Sequence, residues 1–557
     1  MGDDLRMPIL DSSAFAANSD LPEFLRCDIC IIGTGPAGMT IARELSGGSL
    51  RVTVLESGGM QRQEATDALS EIENIGWPRV VDQWLVRNRI LGGSSSTWTG
   101  RCAPFDEIDL ERRDWVPYSG WPFELSDLIP YLDRSANYLG LAFGSGFNDD
   151  RIWALSGHRK PKVRPDPAKL LPMFWQYSRD PIHGDSVRFA RQVDTELGPN
   201  ITIVTNATAL LVNATRSGTA VESVEFAAVD GRRWVLPART VVLCGGGIEN
   251  ARLLLCSDNV IKDGLGNGKD IVGRFLMDHP RGTVATFPTA EAKAVISQFH
   301  IFRSRTVGAN IFHHGMRLSP EIQHSEQLLN SAIWVREHRV WTRQRKSPED
   351  FLNELTQFLR GDGNFRQDLR ATLADAGLRV HDLKENIISR RGLAGKLRGL
   401  TLDAMCEQLP NPDSRLTLTD RRDHLGMRIP RIDWRVSADE ARSLQRITEF
   451  TVEYLSTLGI ECPVAEWVRD GAMFPDTIRD AAHPTGTTRM ADDPTRGVVD
   501  IHCQVHGIEG LFIGGSSVFP TSGHANPTQM IVALALRLAD TLKERVAAVA
   551  SPDLSRL

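Results

Sequence analysis

Long apolar runs are missing from this 557-residue chain, and no stretch reaches the roughly 20 residues that a membrane-crossing helix needs. An excess of one charge is missing too. Lys and Arg number 64 against 70 Asp and Glu, a net charge of −6, so no basic field attracts nucleic acid. The opening MGDDLRMPILDSS has no basic n-region or apolar h-region, and no twin-arginine signal precedes the first apolar run; the expected location is cytoplasmic. Cysteine is scarce and unpatterned. The eight, at positions 27, 30, 102, 244, 256, 406, 462 and 503, form no disulfide framework, which suits a reducing compartment. Cys27 and Cys30 make a CxxC, but within a predicted strand rather than at a helix start, so core thiols are expected there rather than a redox or metal pair. No internal repeat is present and no cluster has metal-ligand spacing, so no metal is expected. At this length two or more domains are expected.

The densest signal lies in residues 27 to 59. An apolar run, Ile29 to Ile32, meets Gly33, Gly35 and Gly38 in the spacing GxGxxG; a helix-length stretch to Leu45, a second apolar run Val52 to Leu55 and Glu56 follow. That is the order of a β-turn-α-β dinucleotide site. Gly33 permits the tight turn, Gly35 lets backbone approach a pyrophosphate, Gly38 lets helix pack on strand, and the helix N-terminus offers free N–H groups to the anion. Pro36 suits the first helical turn. Glu56 stands about 20 residues beyond the glycines, where a carboxylate meets the ribose hydroxyls and disfavours NADP. Ala37 and Ser57 complete this set of candidate cofactor contacts. The motif alone does not separate NAD from FAD, and an ordinary glycine-rich turn would not bring strand, helix, second strand and acid into register.

Further along, ILGGSSSTWTGRCAP (Ile90 to Pro104) has too little side chain to build a core. It reads as extended backbone beside the cofactor, with Gly92, Gly93, Ser94, Ser95, Thr97, Trp98 and Thr99 as contacts. Ser126 is the expected N-cap of an amphipathic helix, and residues 158 to 184 read as loops. Residues 201 to 212 and 221 to 228 are β in pattern. A strand from Thr240, then Gly245, Gly246, Gly247 and a helix, repeats the strand-glycine-helix device and is expected to return the chain to the first sheet. Residues 270 to 280 read as a compact loop and 283 to 340 as strands of a second domain. The polar segment 342 to 400, ending in Arg390, Arg391, Lys396 and Arg398, reads as a solvated helical insertion rather than a surface for a membrane or an acidic partner. Strands at 414 to 419 and 427 to 434 and a helix from about 437 to 458 follow. Near the C-terminus, Leu511 to Ile513 reads as a buried strand running into Gly514, Gly515 and Ser516. Asn526 and Pro527 read as N-cap and N1 of the last helix, with Thr528 next. The positive end of that helix would stabilise the negative charge placed on a reduced flavin.

Taken together, GTGPAG with Glu56, GGSSSTWTG, VGRFLMDHP, NPDSRLTL, HPTGTTRM and SSVFPTSGHANPT resemble the motifs of the glucose-methanol-choline (GMC) family of FAD-dependent oxidoreductases, across most of the chain. The resemblance implies an α/β (α+β overall) architecture. A Rossmann-like FAD-binding domain would comprise residues 20–285 and 481–557, with the cofactor loop 90–104. A substrate domain would comprise residues 286–480 on a six-stranded antiparallel sheet with helices, including the 342–400 insertion. It also implies an active-site His followed by His or Asn, matched here by His483 and Asn526. Neutral histidine suits the proton released when an alcohol gives up a hydride, and an amide can orient the oxygen. His524 is the competitor to Asn526; His279 reads as a loop residue in a cofactor-proximal motif, and His502 and His506 as surface or strand-end residues.

GGSSSTWTG is similar to the flavin-contacting segment of pyranose 2-oxidase and related sugar oxidoreductases, where a histidine before the tryptophan can bond FAD covalently. Thr97 stands at that position here, so the expected FAD is non-covalent; Thr99 falls near flavin N5 or is a simple turn threonine. This branch, which includes glycoside 3-oxidases, implies oxidation of a carbohydrate or glycoside. The electron acceptor would be oxygen, a quinone or another carrier. The alternatives are a dehydrogenase of non-sugar alcohols using an acceptor other than oxygen, and a hydroxynitrile-lyase-like enzyme with structural FAD. A partner subunit with a vestigial site is disfavoured by the presence of both His483 and Asn526.

Overall fold

A computed structural model describes residues 9–340 and 396–550, apart from the short stretches 16–20, 22–24, 26, 81, 147–149, 192, 194–196, 289, 300 and 305–309. Its first layer is a six-stranded parallel sheet in the spatial order Ile9–Asp11, Ile201–Thr205, Val52–Leu55, Ile29–Ile32, Thr240–Leu243, Leu511–Ile513. Strands buried on both faces need unbroken apolar runs, and Val52–Leu55 is buried at every position. Helix Pro36–Leu45 packs against the C-terminal helix Thr528–Ala550, which also holds helix Leu125–Leu139. The strand order reverses direction at Ile29–Ile32, and the glycine turns after Ile32, Leu243 and Ile513 all lie at the carboxyl ends, where open α/β sheets open a crevice. Among the described residues no helix is long and apolar enough to cross a membrane.

The second sheet is antiparallel and has seven strands rather than the expected six. The path runs Arg281–Phe287, Lys396–Cys406, Ser331–Val340, Ile311–Leu318, Leu170–Tyr177, Arg101–Cys102, with Ile301–Arg303 paired beside Ile311–Leu318. Side chains alternate between its faces. Leu400, Leu402, Ala404, Ile333, Val335 and Met316 form a core with Leu444, Ile447 and Phe450 of helix Ala438–Thr457. That helix starts where expected, at a capping box in which Ser437 N–H donates to Glu440 Oε2 at 2.7 Å. The opposite face carries Arg101, Tyr177, His313, Trp334 and Arg336, all of which line a cavity.

Several expectations are corrected. The Gly-Ser segment is a 3-10 turn, Gly93–Ser96, not extended backbone. Gly92 (φ 85) and Gly93 (φ 55) turn left-handed, and a Cβ on Gly93 would lie 2.9 Å from Gly35 Cα, so two glycine loops are wedged together. Ser126 is not the N-cap: Glu124 holds that place, its N–H donating to Asp127 Oδ2 at 3.0 Å, and Ser126 falls inside the helix. Residues 158–184 contain the strand Leu170–Tyr177, whose sequence LLPMFWQY, buried at most positions, shows no alternation. Residues 201–212 split at Asn206 (φ 54): Ile201–Thr205 joins the parallel sheet and Thr208–Ala214 hairpins with Val221–Ala227. Arg415–Arg422 and Arg428–Asp433 pair with each other and with Glu73–Asn74, forming a separate small sheet. Of the expected helical insertion 342–400, residues up to 395 lie outside the described residues, and its expected end is instead strand from Lys396. The last helix starts at Thr528, with Pro527 O accepting from Ile531 N–H, one residue beyond the expected start.

Candidate active site

A cavity of about 840 Å³ runs from the carboxyl ends of the parallel strands to the polar face of the antiparallel sheet. At its first end lie Gly33, Gly35, Pro36, Glu56, Ser57, Thr208, and Gly245 with the first turn of helix Gly246–Cys256. A Cβ placed on Gly35 or Gly246 would meet no protein atom within 4 Å, so both backbones face open space where a phosphate can approach. Gly38 serves packing instead: its Cβ would stand 1.9 Å from Gly33 O. Glu56 is half committed to shaping the turn. Its Oε2 accepts from Thr34 N–H (2.9 Å) and Thr34 Oγ1 (2.5 Å) and its Oε1 from Gly58 N–H (2.9 Å), and burial raises its pKa. Arg87, Arg89 and Arg252 share the acids Glu249 and Asp423 around this end. Burial works against the Glu249 carboxylate, but those guanidiniums outweigh it and hold its pKa at about 2.

At the other end the two motifs HPTGTTRM and MDHP meet. His279 Nδ1 lies 3.0 Å from His483 Nδ1, and His279 Nε2 lies 2.9 Å from the carbonyl oxygen of Gly523. A carbonyl only accepts, so His279 carries its proton on Nε2 and its Nδ1 is a bare acceptor. His483 therefore donates from Nδ1, which leaves the lone pair of His483 Nε2 facing the cavity, 3.4 Å from Asn526 Nδ2. This tautomer is assigned from hydrogen-bond partners. Below the pair, Asp278 Oδ1 accepts from the backbone N–H groups of His279 (2.8 Å), Ala481 (3.0 Å) and His483 (3.0 Å), while Oδ2 takes Arg79 Nη2 at 2.9 Å. Ala482, between the last two donors, holds φ 59; such non-glycine strain clusters at functional sites. Burial, reinforced by His279, Arg281 and Arg101, pulls the His483 pKa down to about 3, with Asp278 opposing.

Of the remaining expected contacts, Gly93, Ser94, Ser95, Thr97, Trp98, Thr99, Gly245, Ser516, Pro527 and Thr528 line the same cavity. Ala37, Gly38, Gly92 and Gly515 do not; they shape the turns behind it. Thr97 Oγ1 donates to Asn88 Oδ1 at 2.5 Å, and Trp98 Nε1 to Val187 O at 2.9 Å. His524 is turned away: it is fully buried, with Nε2 3.4 Å from Met173 Sδ and Nδ1 3.6 Å from Asp109 Oδ2. Sequence reading passed over His279 as a partner of His483, and over Arg101, Arg281 and Trp334. For His279 the signal was present in MDHP, but its partner is 204 residues away.

Residues 410–535 match the C-terminal domain of the family described as GMC oxidoreductase. The chain is 25% identical over 585 residues to 6'''-hydroxyparomomycin C oxidase of Streptomyces lividus, covering 94% of this chain and 92% of that protein. It is 24% identical to paromamine 6'-oxidase of Streptomyces fradiae, covering 92% and 90%. In fold it is similar to an FAD-dependent oxidoreductase from Chaetomium thermophilum, with TM-score 0.55, 16% identity and coverage of 94% of this chain and 100% of that one. With the dinucleotide turn, the His-Asn pair at the far end of one cavity and these relatives in view, the chain carries the C-terminal domain of the GMC oxidoreductases and is similar over most of its length to oxidases of that kind.

Proposed function

We propose that this enzyme oxidises a secondary alcohol of a sugar or glycoside to a ketone, with His483 as base and Asn526 as the group that orients the substrate oxygen. The observation that carries this reading is the Gly523–His279–His483 chain, which leaves His483 Nε2 unprotonated at the cavity wall. The hydroxyl proton passes to that nitrogen while the carbinol C–H bond breaks. FAD, when bound, supplies the two-electron acceptor that takes the hydride. Asn526 holds the oxygen without competing for the proton, and the sheet face opposite confines the rest of the substrate.

The sugar class is supported by two relatives that span most of the chain and are named for oxidations of hydroxyparomomycin and paromamine. Oxidation at the sugar 3-position is proposed from the GGSSSTWTG resemblance, with oxygen, a quinone or another carrier as acceptor. FAD is proposed to be non-covalent, since Thr97 offers no ring nitrogen and the nearby Cys244 thiol is pushed up to about 12 by burial. We also propose an FAD-binding domain (20–285 and 481–557) and a substrate domain (286–480), with strands Arg101–Cys102 and Leu170–Tyr177 of the first lending themselves to the antiparallel sheet of the second.

The test is anaerobic mixing of purified holoenzyme with monosaccharides, O- and C-glycosides and simple alcohols while following the flavin absorbance. Bleaching by a sugar, abolished by orders of magnitude in His483→Ala with FAD retained, is the expected result. Bleaching only by simple alcohols, or near-normal reduction in the variant, overturns it; no reduction by any alcohol points to the lyase-like alternative. Acid precipitation should release free FAD.

A further inference from the structure

The substrate end of the cavity holds two guanidiniums that nothing neutralises directly. Arg101 and Arg281 come from strands at opposite edges of the antiparallel sheet, yet both reach the ring of Trp334, with Cζ 4.6 Å and 5.2 Å from its centroid; Arg101 also lies 4.2 Å from the Trp175 ring. Both line the cavity beside His483, and both are close enough to depress its basicity. Among the described residues neither side chain has a hydrogen bond or an ion pair, and the buried Nε and Nη2 of Arg101 have no acceptor at all.

The neighbouring acid is already engaged. Asp403 accepts from Thr283 Oγ1 and Thr401 Oγ1, both at 2.9 Å, and faces Arg336 at 3.7 Å. Glu337 lines this end as well, and among the described residues Arg101, Arg281 and Arg336 outnumber these two carboxylates. Burial lowers the Arg101 pKa to about 10, which leaves it charged near neutral pH. Buried guanidinium donors left unpaired are costly unless a ligand satisfies them, and their planar fork matches a carboxylate or a phosphate or sulfate ester.

We infer that the substrate is an anionic sugar, a glycosiduronic acid or a sugar ester of phosphate or sulfate, whose charged group docks on Arg101 and Arg281 against Trp334 while its secondary hydroxyl meets His483. This rests on the proposed sugar oxidation and narrows it. An amino sugar, whose ammonium would face the same two guanidiniums, is the disfavoured member of the class.

The experiment compares methyl β-D-glucuronide, glucose 6-phosphate, methyl β-D-glucoside and glucosamine on the holoenzyme. Equilibrium binding is read from the flavin difference spectrum and the anaerobic reduction rate is followed in parallel. At least one anionic sugar should bind ten times more tightly than the neutral glycoside or better, with glucosamine weakest and the carboxylate or phosphate preference naming the anion. In Arg281→Gln the anionic-to-neutral ratio should fall toward one; Arg101→Lys, which keeps the charge and removes the fork, supplies a second reading if bulkier changes at the Trp175–Trp334 stack do not fold. Equal or tighter binding of the neutral or amino sugar overturns this inference and leaves sugar oxidation standing. A uniform loss for every sugar in Arg281→Gln overturns it as well, since the arginines would then serve the flavin. If no sugar, charged or neutral, binds or reduces, the sugar reading itself fails and takes this inference with it.

Discussion

At His483 the useful property is the protonation state that burial enforces. An ordinary histidine, with a pKa near 6.5, is mostly protonated at pH 5 and cannot act as a base. Here burial and the cations around it lower the value to about 3, so the neutral form that the proposed base requires persists as the pH falls. The expected outcome is a kcat/KM for flavin reduction that stays level from about pH 8 down to about pH 5, where an unshifted histidine would lose about thirtyfold. In the proposed reaction His279 acts through His483 as a positioning residue. Replacing it by leucine removes the acceptor for the His483 Nδ1–H and frees the ring to adopt the other tautomer. We expect His279→Leu to lower kcat by about 10 to 100-fold and to raise the acid limb of the pH profile, with FAD content unchanged. His279→Asn, whose amide oxygen can stand in for Nδ1, should restore much of the rate. An unmoved pH profile in His279→Leu would remove His279 from the mechanism.

The glycine turn shows, at the scale of an element, how one motif divides its labour. Gly35 and Gly38 sit three residues apart, but one faces the cavity and the other faces the strand. Gly35 has φ −64, which alanine adopts freely, and its Cβ would enter open space. Gly35→Ala should therefore leave the apoprotein's Tm unchanged while weakening FAD retention. Gly38→Ala drives a Cβ to 1.9 Å from Gly33 O; it should destabilise the apoprotein itself by about 1–3 kcal/mol or more, in line with overpacking costs. Thermal melts of both apoproteins, followed by FAD titration, separate the two roles. Equal melting losses in both would show that the turn is purely structural.

Over the whole molecule, a fully buried ion pair fastens an early loop to the end of a strand of the antiparallel sheet. Arg113 Nη1 donates to Glu407 Oε2 at 2.8 Å and Nη2 to Oε1 at 2.5 Å, joining the segment after helix Glu107–Leu110 to the end of strand Lys396–Cys406. Burying such a pair gains little over an apolar one, but removing a single partner strands a charge. Arg113→Met should cost about 3–5 kcal/mol in denaturant unfolding, and Arg113→Met/Glu407→Leu should recover most of it. Both belong at fixed FAD concentration, because bound cofactor adds its own stabilisation. Full destabilisation in the double variant would mean that the pair contributes net stability.

Short-range physics sets the part of this fold that can be read along the chain. The strand Ile29–Ile32, the helix from Pro36, the strand Val52–Leu55, the helix from about 437 and the buried strand Leu511–Ile513 follow from apolar runs, glycine freedom and helical periodicity, all acting over a few residues. His483 and Asn526 were legible because each sits in a local motif. The strand Leu170–Tyr177, apolar with a proline inside, was not, since nothing in its own pattern says which neighbour it pairs with. The partners come from long-range packing: His279 reaches His483 across 204 residues, His524 turns to Asp109 instead, and Arg101 and Arg281 meet over Trp334 from opposite sheet edges. Those contacts depend on strand register and sheet twist, and both are settled by packing against the whole fold rather than by any window of sequence.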